Sequence, residues 1–229
     1  MANDLRLNFS SRLNDKENAE YSCVNSLTFG SYNLHGFSQG LPVLQHLSER
    51  PNPPHFILVQ ESWLSPSNLH KINNFSPIYS SFGKSAMESA VSNGILRGRP
   101  FGGVHVLVKS DLCKFVKYVY CSDRFVIISF KNIIILNLYL PSVVNNDHES
   151  RLIDLLADIQ INLDLAVSAV INPILVVGGD FNPLVVFLRI RDLHLRVDFL
   201  PVNADFGAFL PNFYRGRCLW QQRPLIRRF

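Results

Sequence analysis

Five polar residues close runs that are otherwise apolar: Asn33, Glu61, Tyr139, Asp180 and Asn182. Each stands where a strand-like run meets a turn, which is where open α/β sheets bind ligands. Two carboxylates from two different strands, with amides beside them, make a set of hard oxygen donors. That set suits Mg2+, with Mn2+ as a substitute, better than zinc. Magnesium takes oxygen ligands, keeps several waters and is held by one or two carboxylates plus substrate phosphate. Taken singly, a strand-end Asn or Asp also serves as a turn former. Glu61 differs, because it follows Phe56-Ile-Leu-Val-Gln60, and an acidic group at the end of a buried strand needs a partner.

The elements that must position these residues follow from the hydrophobic pattern. Leu27 to Asn33 alternates like a strand and ends in the turn Asn33-Leu-His-Gly36. Gln39 to Glu49 places Leu41, Leu44 and Leu47 at helical spacing, with Pro42 in the first turn. His55 to Glu61 reads as a buried strand. Residues 62–100, rich in Ser, Asn and Pro, read mostly as loop. Four strand-like runs follow, Gly103–Lys109, Lys114–Cys121, Arg124–Phe130 and Ile133–Leu140, the last two joined by a tight Lys131-Asn132 turn. Asn146, with Glu149 three residues on, resembles a capping box opening a helix. Leu152, Leu155, Leu156, Ile159, Leu163 and Val167 trace its apolar face. Pro173 stops it, and Ile174–Gly178 is a further buried strand. Residues 1–25 read as a polar leader ahead of one mixed α/β domain over 26–229, with antiparallel hairpins and helix crossovers.

Composition narrows the classes. At 47% hydrophobic residues the chain is not a disordered protein. The net charge of +4 suggests an acidic partner, but its distribution does not support that for the domain. Up to Asn182 there are 14 Lys and Arg against 15 Asp and Glu; from Pro183 onward there are 8 Arg against 3 Asp. Met1 to Glu20 has no apolar signal-peptide core, and no apolar run reaches the ~20 residues that span a bilayer. Cys23, Cys113, Cys121 and Cys218 form no C-x-x-C pair and have no His at zinc spacing. The expectation is an intracellular protein, nuclear or cytoplasmic, with reduced thiols, no disulfide partner and no membrane contact.

Five motifs in order carry a family resemblance: Ser31-Tyr-Asn33-Leu-His-Gly36, Leu58-Val-Gln-Glu61-Ser-Trp63, Gly98-Arg-Pro-Phe-Gly-Gly103, Asn137-Leu-Tyr139-Leu-Pro141 and Gly178-Gly-Asp180-Phe-Asn182. They resemble the endonuclease/exonuclease/phosphatase superfamily, which includes apurinic endonucleases and deoxyribonuclease I. The wording is most similar to the endonuclease domain of LINE-type non-LTR retrotransposons. The resemblance implies a four-layer α/β sandwich of two mixed sheets flanked by helices, and divalent-metal-assisted hydrolysis of a phosphodiester in DNA. It implies Glu61 as metal ligand and Asn33 as a residue that helps hold metal or water. Tyr139 would contact the scissile phosphate, Asp180 would orient or activate the attacking water, and Asn182 would fix the phosphate. Arg97 and Arg99 stand where they could reach substrate phosphate, or form a solvated loop. His105, inside a strand, reads as a packed or surface histidine rather than a base.

The family pattern continues with a Trp-x-Asp segment and a Ser-Asp-His strand end. Around Trp220 this chain reads Cys-Leu-Trp-Gln-Gln-Arg, and it contains no Ser-Asp-His. Arg191-Asp192-Leu-His194 comes too soon after Asp180 to replace it. The residues from 182 onward are therefore expected to be divergent, the sandwich incomplete at its C-terminus and the chain truncated, with no general acid/base histidine and with weak or no activity. Two alternatives stand beside this: a non-catalytic nucleic-acid-binding remnant, and a phosphatase or phosphodiesterase of the same superfamily.

Overall fold

The computed structural model describes residues 3–8, 26–94, 100–140, 146–181 and 196–201. Among them are two five-stranded sheets. In the first, β1 (Asn3–Asn8), β2 (Ser26–Asn33), β3 (Phe56–Gln60), β4 (Tyr79–Lys84) and β5 (Val104–Lys109) lie in the order β1-β2-β3-β5-β4. In the second, β6 (Val116–Cys121), β7 (Phe125–Phe130), β8 (Ile133–Tyr139), β9 (Ile174–Asp180) and β10 (Arg196–Pro201) lie in the order β10-β9-β8-β7-β6. Both sheets are mixed: β2/β3, β8/β9 and β9/β10 are parallel and the other pairs antiparallel. Helix α1 (Phe37–Ser48) joins β2 to β3, and two short helices, α2 (His70–Asn73) and α3 (Glu88–Ser92), flank β4. Helix α4 (Asn146–Ser168) joins β8 to β9. The two parallel pairs β2/β3 and β8/β9 are thus each made by a helical crossover, as parallel pairing requires.

Strand alternation sorts the apolar residues into three clusters. Between the sheets, Phe29, Phe56, Leu58, Val106 and Val108 meet Val126, Ile128, Phe130, Ile135 and Val176. On the outer side of the first sheet, Ile57, Val59 and Leu107 pack on Phe37, Leu44 and Leu47 of α1. On the outer side of the second, Ile127, Ile134, Leu136, Leu175 and Val177 pack on Leu152, Ile159, Leu163 and Val167 of α4. The result is the expected four-layer sandwich, helix on sheet on sheet on helix. Central strands covered on both faces are mostly apolar, which is why β3, β7 and β8 read as hydrophobic runs broken only by Gln60, Ser129 and Asn137. Phe56 anchors the middle layer, stacked on Phe29 at 4.9 Å and edge-on to Phe130 at 5.2 Å. Each fully buried aromatic there contributes about 2–3 kcal/mol.

Several elements differ from the sequence expectation, β10 and the short helices α2 and α3 among them. Part of the polar leader, Asn3–Asn8, forms β1 and pairs with β2 in register Leu5↔Phe29. The segment read as loop contains β4, an edge strand of the first sheet whose Tyr-Ser-Ser-Phe-Gly-Lys sequence lacks a hydrophobic signature because only one of its sides is paired. Pro42 lies one turn inside α1 rather than in its first turn, on the exposed side, where the lost hydrogen bond is tolerated. Among the described residues no helix is long and apolar enough to cross a membrane, and Cys113 and Cys121 are free thiols.

Candidate active site

Four strands change character at the same end of the inter-sheet core. In β2 the inward row runs Leu27, Phe29, then Ser31, Asn33; in β3 it runs Phe56, Leu58, then Gln60. In β8 it runs Ile133, Ile135, then Asn137, Tyr139, and in β9 Val176 is followed by Gly178 and Asp180. Each strand supplies apolar residues to the core and then polar residues at its C-terminal end. The sandwich therefore brings Asn33, Glu61, Tyr139 and Asp180 together.

Asn33 sits at the centre. Its side-chain N–H2 donates to Glu61 Oε1 and to Asp180 Oδ2, both at 2.8 Å, and its Oδ1 accepts from the His35 backbone N–H at 3.0 Å. One amide thus ties the carboxylate that follows β3 in the first sheet to the carboxylate that ends β9 in the second. Asn33 and Asp180 are buried, and the Glu61 side chain is 13% exposed. The opposite Glu61 oxygen, Oε2, faces His35 Nδ1 at 3.5 Å, with the imidazole 68% exposed.

The backbone is shaped to present Glu61. Strict alternation after Gln60 would send this side chain to the outer face. Instead Glu61 adopts a left-handed conformation, φ 54°, which turns it toward the inner cluster, and His35 and Trp63 beside it are left-handed as well, at φ 48° and 50°. Such conformations are costly for non-glycine residues and persist only where the surroundings over-determine them. Here the Gly36 and Phe37 N–H groups donate to the Glu61 and Ser62 carbonyls at 2.8 Å, and the Ser62 and Trp63 N–H groups donate to the Gly103 and Gly102 carbonyls. The segment after β3 is laced on both sides. Gly179 performs the matching task in β9: at φ 140° a Cβ would lie 1.9 Å from the Leu138 carbonyl oxygen, so only glycine lets β9 approach β8 this closely before Asp180.

Tyr139 completes the cluster. Its phenol is pushed up to about 12, first by burial, then by the negative charge of Glu61 and a hydrogen bond to that carboxylate. Arg124, whose guanidinium lies 5.2 Å from the centre of the Tyr139 ring, partly offsets this. Tyr139 is therefore a protonated hydrogen-bond donor across the neutral range. His105 is of another kind. It is fully buried, contacts the Ser62 and Ser81 hydroxyls at 3.1 and 3.2 Å, and is held down to about 4 by burial. The sequence leaves a packed and a surface position open for this histidine, and the structure packs it.

The donor set fits a small hard cation. Among the described residues no three His, Cys, Asp or Glu side chains converge, so a thiolate or imidazole zinc site is not built here. Two carboxylates beside an amide and a phenol match the oxygen-rich, partly hydrated binding of Mg2+ or Mn2+. Arg97, Arg99 and Asn182 lie outside the described residues. Sequence reasoning missed three contributors. His35 lies in the Asn-Leu-His-Gly turn and was visible only as a motif letter. Gln60 and Asn137 are buried amides inside apolar strands, and a polar residue in such a run was the signal that could have found them.

Among curated proteins none matches this chain. A solved structure of the 3′ phosphatase NExo from Neisseria bound to product DNA hairpin is 13% identical, with a TM-score of 0.45; the match covers 59% of this chain and 50% of that one. The same figures hold for the 3′-5′ exonuclease NExo from Neisseria meningitidis. An AP endonuclease from Archaeoglobus fulgidus is 17% identical, with a TM-score of 0.40 and the same coverage. The chain spans about half the length of each of these proteins. The family model described as Endonuclease/Exonuclease/phosphatase family matches residues 30–182, more than half of the chain and the stretch that carries the whole polar cluster. On that match, the chain belongs to the endonuclease/exonuclease/phosphatase family.

Proposed function

We propose that the chain is a divalent-metal-dependent phosphodiesterase acting on DNA, of the retroelement endonuclease type. The observation that carries this reading is the Asn33 amide bridging the Glu61 and Asp180 carboxylates of opposite sheets at 2.8 Å each. The branch is supported by the wording of the five motifs, above all Gly98–Gly103. A bound Mg2+ or Mn2+ would neutralise charge on the phosphate and lower the pKa of a bound water. Glu61 would hold the ion, and Asn33 fixes the carboxylate that would do so. Asp180, on the other side of the same amide, orients the attacking water. The Tyr139 O–H, protonated at neutral pH, donates to the scissile phosphate. Asn182 steadies the same phosphate, and Arg97 and Arg99 contact flanking phosphates.

The sequence holds no Ser-Asp-His, so the leaving oxygen has no histidine acid of that kind. A general acid or base is typically worth ~10²–10⁴ in rate, and turnover of this chain is accordingly slow. The test is incubation of the purified protein with supercoiled plasmid and Mg2+ or Mn2+. Slow nicking that requires the metal and disappears in Glu61→Gln supports the proposal; nicking that persists in EDTA, or in Glu61→Gln, contradicts it.

A second reading, non-catalytic binding of nucleic acid, is favoured by the excess of arginine after Pro183, 8 Arg against 3 Asp. It predicts duplex binding that weakens steeply with salt while the plasmid stays intact at every metal concentration.

A further inference from the structure

We infer that Gln60 and Asn137 form a cross-sheet brace that positions Glu61 against Tyr139 and Asp180, making both of them positioning residues for the metal site. The inference deepens the proposed function and rests on it.

Gln60 ends β3, immediately before Glu61, and Asn137 lies two residues before Tyr139 in β8, so each adjoins a member of the cluster. Gln60 Nε2 donates to Asn137 Oδ1 at 2.6 Å. Asn137 Nδ2 in turn donates to the Val59 carbonyl at 3.0 Å and the His105 carbonyl at 2.8 Å. Val59 and His105 are direct register partners in β3 and β5. A single side chain of the second sheet is therefore bonded to two strands of the first and to the residue before Glu61. Both amides are completely buried. Away from this end the contacts between the sheets are largely apolar, and apolar contacts are non-directional, so by themselves they do not fix the sheets' relative position. Three short hydrogen bonds beside the site remove that freedom where a metal ligand and a phosphate donor must keep their spacing.

The brace is not optimised for stability. Gln60 Oε1 is buried and has no hydrogen-bond partner among the described residues. A buried unpaired carbonyl is destabilising, and an apolar residue of similar size would fill the same space without that cost. A side chain that costs stability at the edge of a cluster of carboxylates is explained by the geometry it enforces. Residues that orient a metal ligand through hydrogen bonds typically change metal affinity 10–100-fold when removed.

The test uses the full chain and Mn2+ alone, with free Mn2+ counted by electron paramagnetic resonance and the native fold followed by circular dichroism. The Gln60→Leu/Asn137→Leu variant keeps the volume and removes the polar pair. It is expected to hold the native fold and to bind Mn2+ about 10–100-fold more weakly than the parent. Should it fail to fold, Gln60→Asn, which keeps an amide but falls one methylene short of Asn137, carries the same expectation. Weakened Mn2+ binding in a natively folded variant is something a merely structural role would not produce. Parental affinity in either folded variant overturns the brace, while Glu61→Gln, measured alongside, still loses Mn2+ if the metal site stands. Parental affinity in Glu61→Gln overturns the metal site and the brace together.

Discussion

Acidification should weaken this fold through one histidine. His105 is buried between the Ser62 and Ser81 hydroxyls and stays neutral down to about 4, against an ordinary 6.5. In the unfolded chain the imidazole takes up a proton as pH falls through 6.5. In the folded chain it does not do so until about 4. Between these values the unfolded state binds more protons, so stability falls with falling pH across that window and is unaffected by His105 above it. The gap corresponds to about 3 kcal/mol, or a melting temperature lower by about 6–12 °C in a chain of this size. Urea denaturation of the parent and of His105→Gln at intervals from pH 7.5 to 4 isolates the term, because every other titrating group is common to both proteins. The parent should lose about 3 kcal/mol more than the variant over that range. Parallel stability curves would show that His105 does not drive the loss, as would an NMR titration in which His105 protonates near 6.5 in the folded protein.

Other perturbations follow from the cluster. Gly179→Ala must drive a Cβ into the Leu138 carbonyl at φ 140°, and a loss of at least about 2 kcal/mol is expected in thermal melts. Asn33→Asp puts a third carboxylate between Glu61 and Asp180. In EDTA its melting temperature should fall by the equivalent of about 2 kcal/mol or more, and saturating Mn2+ should recover more of it than in the parent. Tyr139→Phe retains the ring beneath Arg124 and removes only the hydrogen bond to Glu61. The cost read from urea midpoints should be about 1.5–3 kcal/mol, typical of a hydrogen bond to a charged acceptor.

Much of the sandwich was legible because its central strands are buried on both faces, so β3, β7, β8 and β9 announce themselves as apolar runs and α4 as an amphipathic repeat. β4 was not legible, since its pairing partner β5 follows it only after α3, and most of its own residues are half-buried and polar. The strand-end carboxylates and amides could be named from the sequence, but their assembly could not. Asn33 and Asp180 are 147 residues apart, and only the stacking of two sheets brings them to 2.8 Å. Backbone geometry was equally hidden. Nothing in the letters Gln-Glu-Ser-Trp states that Glu61 and Trp63 turn left-handed, a conformation fixed by hydrogen bonds to Gly36, Gly102 and Gly103 from elsewhere in the chain. The Gln60–Asn137 pair joins the two sheets in the same way, across 77 residues.

The proposed function requires the polar ends of four strands to build one site for a hard divalent cation beside Glu61. Crystals of the full chain soaked in Mn2+ and measured at the manganese absorption edge would test it most directly. An anomalous peak is expected within bonding distance of the Glu61 carboxylate, in the cluster of Asn33, Tyr139 and Asp180, and it should vanish in Glu61→Gln. A peak bound elsewhere, or no peak at a Mn2+ concentration that saturates binding in solution, would contradict it.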